Sequence, residues 1–91
     1  MKINKLIRVR GKVQGVFFRK RTQEKAIQLG ITGWVQNEPD GSVITEIEGL
    51  PEDIKQMEQW LHVGSDRAQV KEVMLVEEGE EKGYRFFEIR R

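Results

Sequence analysis

The chain has 91 residues, a length that fits one small domain, so we predict a single domain over residues 1–91. Charged residues make up 34% of the sequence but the net charge is only +1, which argues against a general binder of nucleic acids. The sequence contains no cysteine, which excludes disulfides, cysteine–zinc sites and thiol nucleophiles. No apolar stretch approaches membrane-spanning length. We therefore expect a cytoplasmic monomer with neither a membrane nor a nucleic-acid partner.

The first third of the sequence predicts a strand, a glycine-containing loop and a helix. Apolar and polar residues alternate over residues 5–10, which is typical of a half-buried strand. Residues 11–17 form the loop. From Phe18 onward apolar residues recur at helical spacing, and Gly30 follows them as a C-terminal cap. The predicted stripe consists of Phe18, Thr22, Ala26 and Leu29.

The middle third predicts a β-hairpin. Residues 31–37 form its first strand, and Pro39-Asp40-Gly41 is a strong turn signal because Asp-Gly adopts positive φ at little cost. The second strand of the hairpin carries Val43, Thr45 and Ile47 on one face.

The last third predicts a second helix and two more strands. Pro51 opens the helix with acidic residues in its first turn, and Gly64 closes it. Alternation then predicts a strand over residues 70–76 and a short last strand over residues 84–90. Between them we interpret residues 77–83 as a solvated hairpin tip rather than a metal-binding turn. The predicted apolar face of the helix consists of Leu50, Ile54, Met57 and Leu61.

This order of elements predicts the fold. Strand, helix, strand, strand, helix, strand is the split βαβ pattern, so we expect an α+β, ferredoxin-like βαββαβ sandwich. In such a fold an antiparallel sheet has two helices on one face.

The start of the first helix is unusual, because it carries Arg19, Lys20 and Arg21 where carboxylates are usual. Cations there oppose the helix dipole, and a bound anion removes the conflict. Gly15 lets the loop backbone curl, so that consecutive N–H groups converge on the same anion. The sequence thus favours a phosphate-sized pocket over a plain connection with surface cations.

Asn37 stands where the second strand meets its turn. From local pattern alone, an asparagine that bonds its own turn is the better interpretation. We expect its strand to lie close to the first one, however, so its amide could also reach the loop and hold a water molecule. We expect Phe17 and Phe18 to pack in the core or loop, and His62, which has no catalytic partners, to be structural.

Two blocks of the sequence resemble the acylphosphatase family. Gly11-Lys12-Val13-Gln14-Gly15-Val16-Phe17-Phe18-Arg19 is similar to its signature loop, and Gly33-Trp34-Val35-Gln36-Asn37 followed by Asp40-Gly41 is similar to its second signature. The resemblance extends over essentially the whole chain.

The resemblance implies a hydrolase without metal or other cofactor, which cleaves acyl phosphates into carboxylate and inorganic phosphate. It implies that Arg19 binds the phosphoryl group and that Asn37 orients the attacking water. The loop amides of Gly15, Val16, Phe17 and Phe18 complete the cradle, which would also accept a free phosphate or sulfate ion.

A different class of function remains as the alternative, a small ferredoxin-like module that binds RNA or protein without catalysis. RNA-binding domains of this fold usually stack bases on aromatic side chains of the central strands. The sequence contains no motif of that kind, and an adaptor role of the helix-free face stays open.

Overall fold

The computed structural model describes residues 1–91 and consists of one five-stranded sheet with two helices. Its elements are β1 (Ile3–Lys12), α1 (Phe18–Leu29), β2 (Thr32–Asn37), β3 (Val43–Gly49), α2 (Pro51–Val63), β4 (Gln69–Glu80) and β5 (Phe87–Arg90). The predicted ferredoxin-like order is confirmed. The strand order across the sheet is β4-β1-β3-β2-β5. Four strands are antiparallel and β5 runs parallel to β2, so the sheet is mixed.

The core lies between the sheet and the helices. Alternate residues of the strands point into it, which is the period of two expected of a half-buried sheet. Phe18 of α1 packs against Trp60 of α2 with ring centroids 5.7 Å apart, which ties the start of the first helix to the second. The buried apolar side chains are Ile7, Val9, Val13, Val16, Phe18, Ala26, Ile31, Val35, Val43, Ile47, Ile54, Met57, Leu61 and Phe87.

The helix boundaries follow the sequence signals. Helix α1 begins at Phe18 and ends before Gly30, whose φ of 73° lets its N–H bond the last turn of the helix. Helix α2 begins at Pro51 and buries three of the four predicted apolar residues. The fourth, Leu50, is 40% exposed because it is the residue before the helix, outside its inward face. Neither helix is long and apolar enough to cross a membrane.

The chain after residue 76 differs from the prediction. Residues 77–80 are not a hairpin tip, because β4 continues through them to Glu80 in register with the start of β1. The last strand is also shorter than predicted, and it pairs with β2 at the far edge of the sheet instead of with β4. Residues 81–86 therefore cross the helix-free face from one edge of the sheet to the other.

Two buried carboxylates of β3 hold this crossing segment. Glu48 is 1% exposed and accepts hydrogen bonds from the backbone N–H groups of Lys82, Gly83 and Tyr84, at 2.6, 3.0 and 3.0 Å. Glu46 accepts from the Tyr84 hydroxyl at 2.8 Å. Lys82 Nζ lies 2.9 Å from Glu46 Oε2 and forms an ion pair with it.

These contacts decide the ionisation of both carboxylates. Burial alone would raise the pKa of Glu48, but the backbone N–H of Lys82, the Asn4 amide and the N–H groups of Tyr84 and Gly83 hold that pKa below its ordinary value. Burial would likewise raise the pKa of Glu46. The Lys82 ammonium and the hydrogen bonds that Glu46 accepts from Tyr84 and Trp34 hold that pKa below its ordinary value. Both carboxylates are therefore ionised and, through these hydrogen bonds, hold the segment that leads to β5.

Candidate active site

The loop between β1 and α1 curls because two of its residues adopt left-handed backbone conformations. Gly15 has φ 74°, and Phe17, with φ 60°, is the one non-glycine residue of the chain with positive φ. Such a conformation strains a bulky side chain, and strain of this kind often accompanies a functional site. The backbone N–H groups of Gly15, Val16 and Phe17 donate to no acceptor in the chain. The curl therefore leaves a row of free donors.

Hydrogen bonds on both sides of the loop fix its shape. The Gln14 amide donates to the carbonyls of Glu38 and Ser42 in the β2–β3 turn, at 2.8 and 2.9 Å. The Ser65 hydroxyl, from the connection between α2 and β4, donates to the carbonyl of Val16 at 2.8 Å. The N–H groups of the loop are thus held in place before any ligand arrives.

Asp40 stabilises the β2–β3 turn whose carbonyls accept hydrogen bonds from Gln14. Ser42 donates both its hydroxyl and its backbone N–H to Asp40 Oδ1, at 2.6 and 2.9 Å. These two bonds hold the pKa of Asp40 below its ordinary value. The carboxylate therefore remains ionised and keeps the turn in one conformation.

The start of α1 is bare of acidic groups. Its first turn contains no Asp or Glu, and no side chain caps its N–H groups. Arg21 pairs with Glu24 at 2.8 Å, whereas Arg19 has no carboxylate partner. Arg19 instead donates from Nη1 to the backbone carbonyl of Arg90 in β5, at 3.1 Å. The carbonyl orients the guanidinium without neutralising it, so its charge is available to an anion.

Arg19 and Asn37 face the same pocket, which has a volume of about 300 Å³. The residues that line it are Val13, Gly15, Phe17, Phe18, Arg19, Lys20, Asn37, Ile89 and Arg91. The structure thus brings together five of the six residues expected from the sequence. Val16 is the exception, since it is buried and lines a neighbouring pocket instead.

Asn37 ends β2 with its side-chain oxygen buried and without a hydrogen-bond partner. The local interpretation, an asparagine that bonds its own turn, is therefore wrong. Strand β2 lies close to β1, as expected, but the two are not neighbours because β3 lies between them. Asn37 reaches the loop because it stands in one row with Val43 of β3 and Val9 of β1. A buried carbonyl oxygen without a donor costs about 1–3 kcal/mol, which a bound water would offset.

The two phenylalanines of the loop behave differently. Phe18 is buried as expected, but Phe17 is 68% exposed, so the expectation of packing is wrong for that ring. Its backbone is left-handed, and the exposed residue lines the pocket.

Sequence reasoning missed the contribution of the chain's last residues. Ile89 and Arg91 line the pocket, and Arg90 supplies the carbonyl that orients Arg19. No motif marks these positions. The parallel pairing of β5 with β2 brings them beside Asn37, and only the sheet topology reveals it.

Comparison with known proteins places the chain among its relatives. A sequence model of the family described as Acylphosphatase matches residues 5–89. The chain belongs to the acylphosphatase family. It is 52% identical to an acylphosphatase of Marinobacter nauticus over 71% of each chain.

Two solved structures of acylphosphatases share this fold closely. The one from Coxiella burnetii superposes with a TM-score of 0.92 at 37% identity, over 98% of this chain and 93% of that one. The one from Bacillus subtilis gives a TM-score of 0.94 at 30% identity, over 98% and 99%. The family resemblance that the two sequence blocks indicate is thereby confirmed.

Proposed function

We propose that the pocket of Arg19 and Asn37 is the site at which this acylphosphatase-family chain hydrolyses acyl phosphates. The reaction adds water to phosphorus and breaks the bond between phosphorus and the acyl oxygen, giving a carboxylate, inorganic phosphate and a proton. One observation carries the proposal. Arg19, which has no carboxylate partner, Gly15 and Phe17, whose backbone N–H groups are free, and Asn37, whose buried amide oxygen is unpaired, line one pocket although they come from separate parts of the chain.

Arg19 and the loop hold the phosphoryl group. Phosphoryl transfer depends mainly on positioning and on stabilising charge that spreads over the three equatorial oxygens. The N–H groups of residues 15–17 and the first turn of α1 point donors at such oxygens, and Arg19 adds a fork of charged donors. Because these groups are fixed by Gln14, Ser65 and Arg90, little reorganisation is needed when substrate binds.

Asn37 positions the attacking water. Its unpaired Oδ1 accepts a hydrogen bond from the water, and its Nδ2 group donates to the substrate phosphate or a second water. An amide is not a base, so the phosphate oxygens of the substrate accept the proton that water loses. The contribution of Asn37 is therefore orientation rather than proton transfer.

The leaving group needs little help. A carboxylate is a stable anion, so its departure requires no general acid. The residues that line the pocket include no Asp, Glu or His, which agrees with a reaction that uses neither an acid nor a base from the protein.

The RNA-binding alternative is less well supported. The helix-free face, on which such domains stack bases, is crossed here by residues 81–86, and its central strand buries two carboxylates. Trp34 on this face lies 4.5 Å beneath the Arg90 guanidinium and donates its Nε1–H to Glu46. We infer that the chain acts on a small molecule, because the pocket of about 300 Å³ has the size of a small-molecule site. We further propose that it does so as a monomer in the cytoplasm.

The test is hydrolysis of benzoyl phosphate by the wild type and by Arg19→Ala, together with the affinity of each for inorganic phosphate. We expect the variant to lose activity on the order of 10³-fold, with much of the loss in phosphate affinity. Lys55→Ala is the control, since it removes one exposed cation of α2 that makes no ion pair. Unchanged phosphate affinity in Arg19→Ala would contradict the role of Arg19.

A further inference from the structure

A second pocket adjoins the proposed phosphate site. Its volume is about 260 Å³, and it is lined by Val16, Phe17, Arg21, Ser65, Asp66 and Arg67. Phe17, which is exposed, lines both pockets, so the two meet at this residue. The proposed roles of Arg19 and Asn37 leave this second space without a function.

The position of the second pocket follows from the sheet order. Asn37 ends β2, whereas Ser65, Asp66 and Arg67 precede β4. In the sheet β1 lies between β4 and β2. Asn37 and residues 65–67 therefore lie on opposite sides of the loop that connects β1 to α1. The second pocket therefore lies across the loop from the water-positioning amide.

The geometry of the reaction connects the two pockets. In phosphoryl transfer the attacking oxygen and the leaving oxygen lie roughly in line, on opposite sides of phosphorus. With the water held at Asn37, the acyl group of a phosphate bound in the loop extends away from β2. It thus extends toward the side of Phe17 and Arg67.

The side chains of the second pocket favour a negative charge. Two arginines line it against one aspartate, Asp66. Arg21 already pairs with Glu24, but Arg67 is exposed and makes no ion pair or side-chain hydrogen bond in the chain. A guanidinium that is free of partners can bind a carboxylate through two parallel N–H groups.

We propose that this second pocket binds the acyl group of the substrate, and that Arg67 makes the enzyme prefer acyl groups with a second anionic group. The inference rests on the proposed function, because it takes the direction of the acyl group from the roles of Arg19 and Asn37. Phe17 forms the wall against which the carbon skeleton packs, and Arg67 contacts the distal anion.

The test compares benzoyl phosphate with 4-carboxybenzoyl phosphate, which differs only by a carboxylate at the far end of the ring. The measured quantity is the ratio of kcat/KM for the charged substrate to kcat/KM for the neutral one. We expect Arg67→Gln to lower this ratio about three- to fivefold at low salt, the scale of one partly exposed ion pair. Arg67→Glu should lower it further, because it places a carboxylate beside that of the substrate.

Arg85→Gln is the matched control, since it removes the same charge from an exposed arginine in the segment that crosses the helix-free face. An effect of net charge would lower the ratio equally in both variants and would overturn the proposal. So would a ratio that Arg67→Gln leaves unchanged.

Failure of the proposed function gives a different result. If Arg19→Ala hydrolyses both substrates like the wild type, the phosphate site is assigned wrongly whatever the ratio. If Arg19→Ala is inactive and Arg67→Gln keeps the wild-type ratio, only the acyl pocket is assigned wrongly.

Discussion

Arg19 donates a hydrogen bond from Nη1 to the carbonyl oxygen of Arg90, 3.1 Å away and 71 positions later in the sequence. The contact joins the first helix to the last strand. It uses one of the five N–H donors of a guanidinium, so four remain for an anion. The position of β5 thus determines the direction in which the charge of Arg19 points.

The first prediction concerns the shape of this side chain. Arg19→Lys keeps the charge but loses the planar arrangement of donors. An ammonium cannot donate to the Arg90 carbonyl and also bind a phosphate through two parallel N–H groups. We expect kcat/KM for benzoyl phosphate to fall on the order of 100-fold. The same exchange at Arg85 serves as the control. Wild-type kinetics in Arg19→Lys would mean that charge alone is enough.

The second prediction separates the two functions of the site. Asn37→Ala should lower kcat on the order of 100-fold and change the Kd for inorganic phosphate little, because the donors of the loop remain in place. Asn37→Asp should instead weaken phosphate binding, because it places a negative charge in the pocket. Steady-state kinetics with benzoyl phosphate measure kcat, and isothermal titration calorimetry measures the Kd for inorganic phosphate. A simultaneous collapse of both in Asn37→Ala would indicate that Asn37 supports the loop.

The third prediction uses two glycines with the same backbone conformation. Gly15 and Gly30 have φ of 74° and 73°, and an added Cβ would meet no atom within 4 Å at either position. Alanine at either site should lower the free energy of unfolding by about 1 kcal/mol, because an L residue is strained there. Only Gly15→Ala should also weaken phosphate binding. Equal phosphate affinity in the two variants would argue against a cradle at Gly15.

The fourth prediction concerns acid stability. The folded-state pKa values of Glu46 and Glu48 lie below their ordinary value of 4.5. Their contribution to stability is therefore present above about pH 4.5, and it is lost as the pH falls through the folded-state values.

Glu48→Gln tests this directly by urea unfolding at neutral and acid pH. We expect a loss of about 2–3 kcal/mol near pH 7, because an amide cannot accept from all the donors around Glu48. The difference from the wild type should shrink as the pH falls below about 4.5. Glu78→Gln, at an exposed residue of β4 without ion pairs, should behave like the wild type. A constant difference across the pH range would show that the carboxylate charge is not involved.

The fifth prediction concerns metals. In the proposed mechanism, Arg19 and the loop N–H groups supply the positive charge that Mg²⁺ supplies in many phosphoryl-transfer enzymes. No three His, Asp or Glu side chains are grouped for a metal ion. We expect kcat to stay the same after exhaustive treatment with EDTA. A rate that EDTA abolishes and Mg²⁺ restores would contradict the mechanism.

Local signals in the sequence were enough for much of the fold. Helix α1 begins and ends as its apolar stripe and Gly30 predicted, and Asp40-Gly41 marked the hairpin turn. These features depend on residues close together in sequence, where backbone preference and period decide the structure. The conflict between the cations of α1 and its dipole likewise indicated an anion pocket, and Arg19 does line a pocket in the structure.

Local sequence signals did not predict which strands pair when they lie far apart in the sequence. Residues 77–83 are polar and rich in glutamate, which is typical of a turn, yet the pairing with β1 extends β4 through residues 77–80. Similarly, nothing near Phe87 shows that its strand pairs parallel with β2. The buried Glu46 and Glu48 alternate like surface residues in the sequence, and only the crossing of residues 81–86 buries them.

The distance along the chain between Arg19 and the carbonyl that orients it bears on protein synthesis. At roughly 5–20 residues per second, the ribosome needs about 4–14 s to make the 71 residues from the one after Arg19 to Arg90. During that time the first helix can form, but its guanidinium has no fixed direction. If Arg19 binds the phosphoryl group as proposed, a nascent chain acquires its hydrolytic activity only after β5 has left the ribosome and joined the sheet.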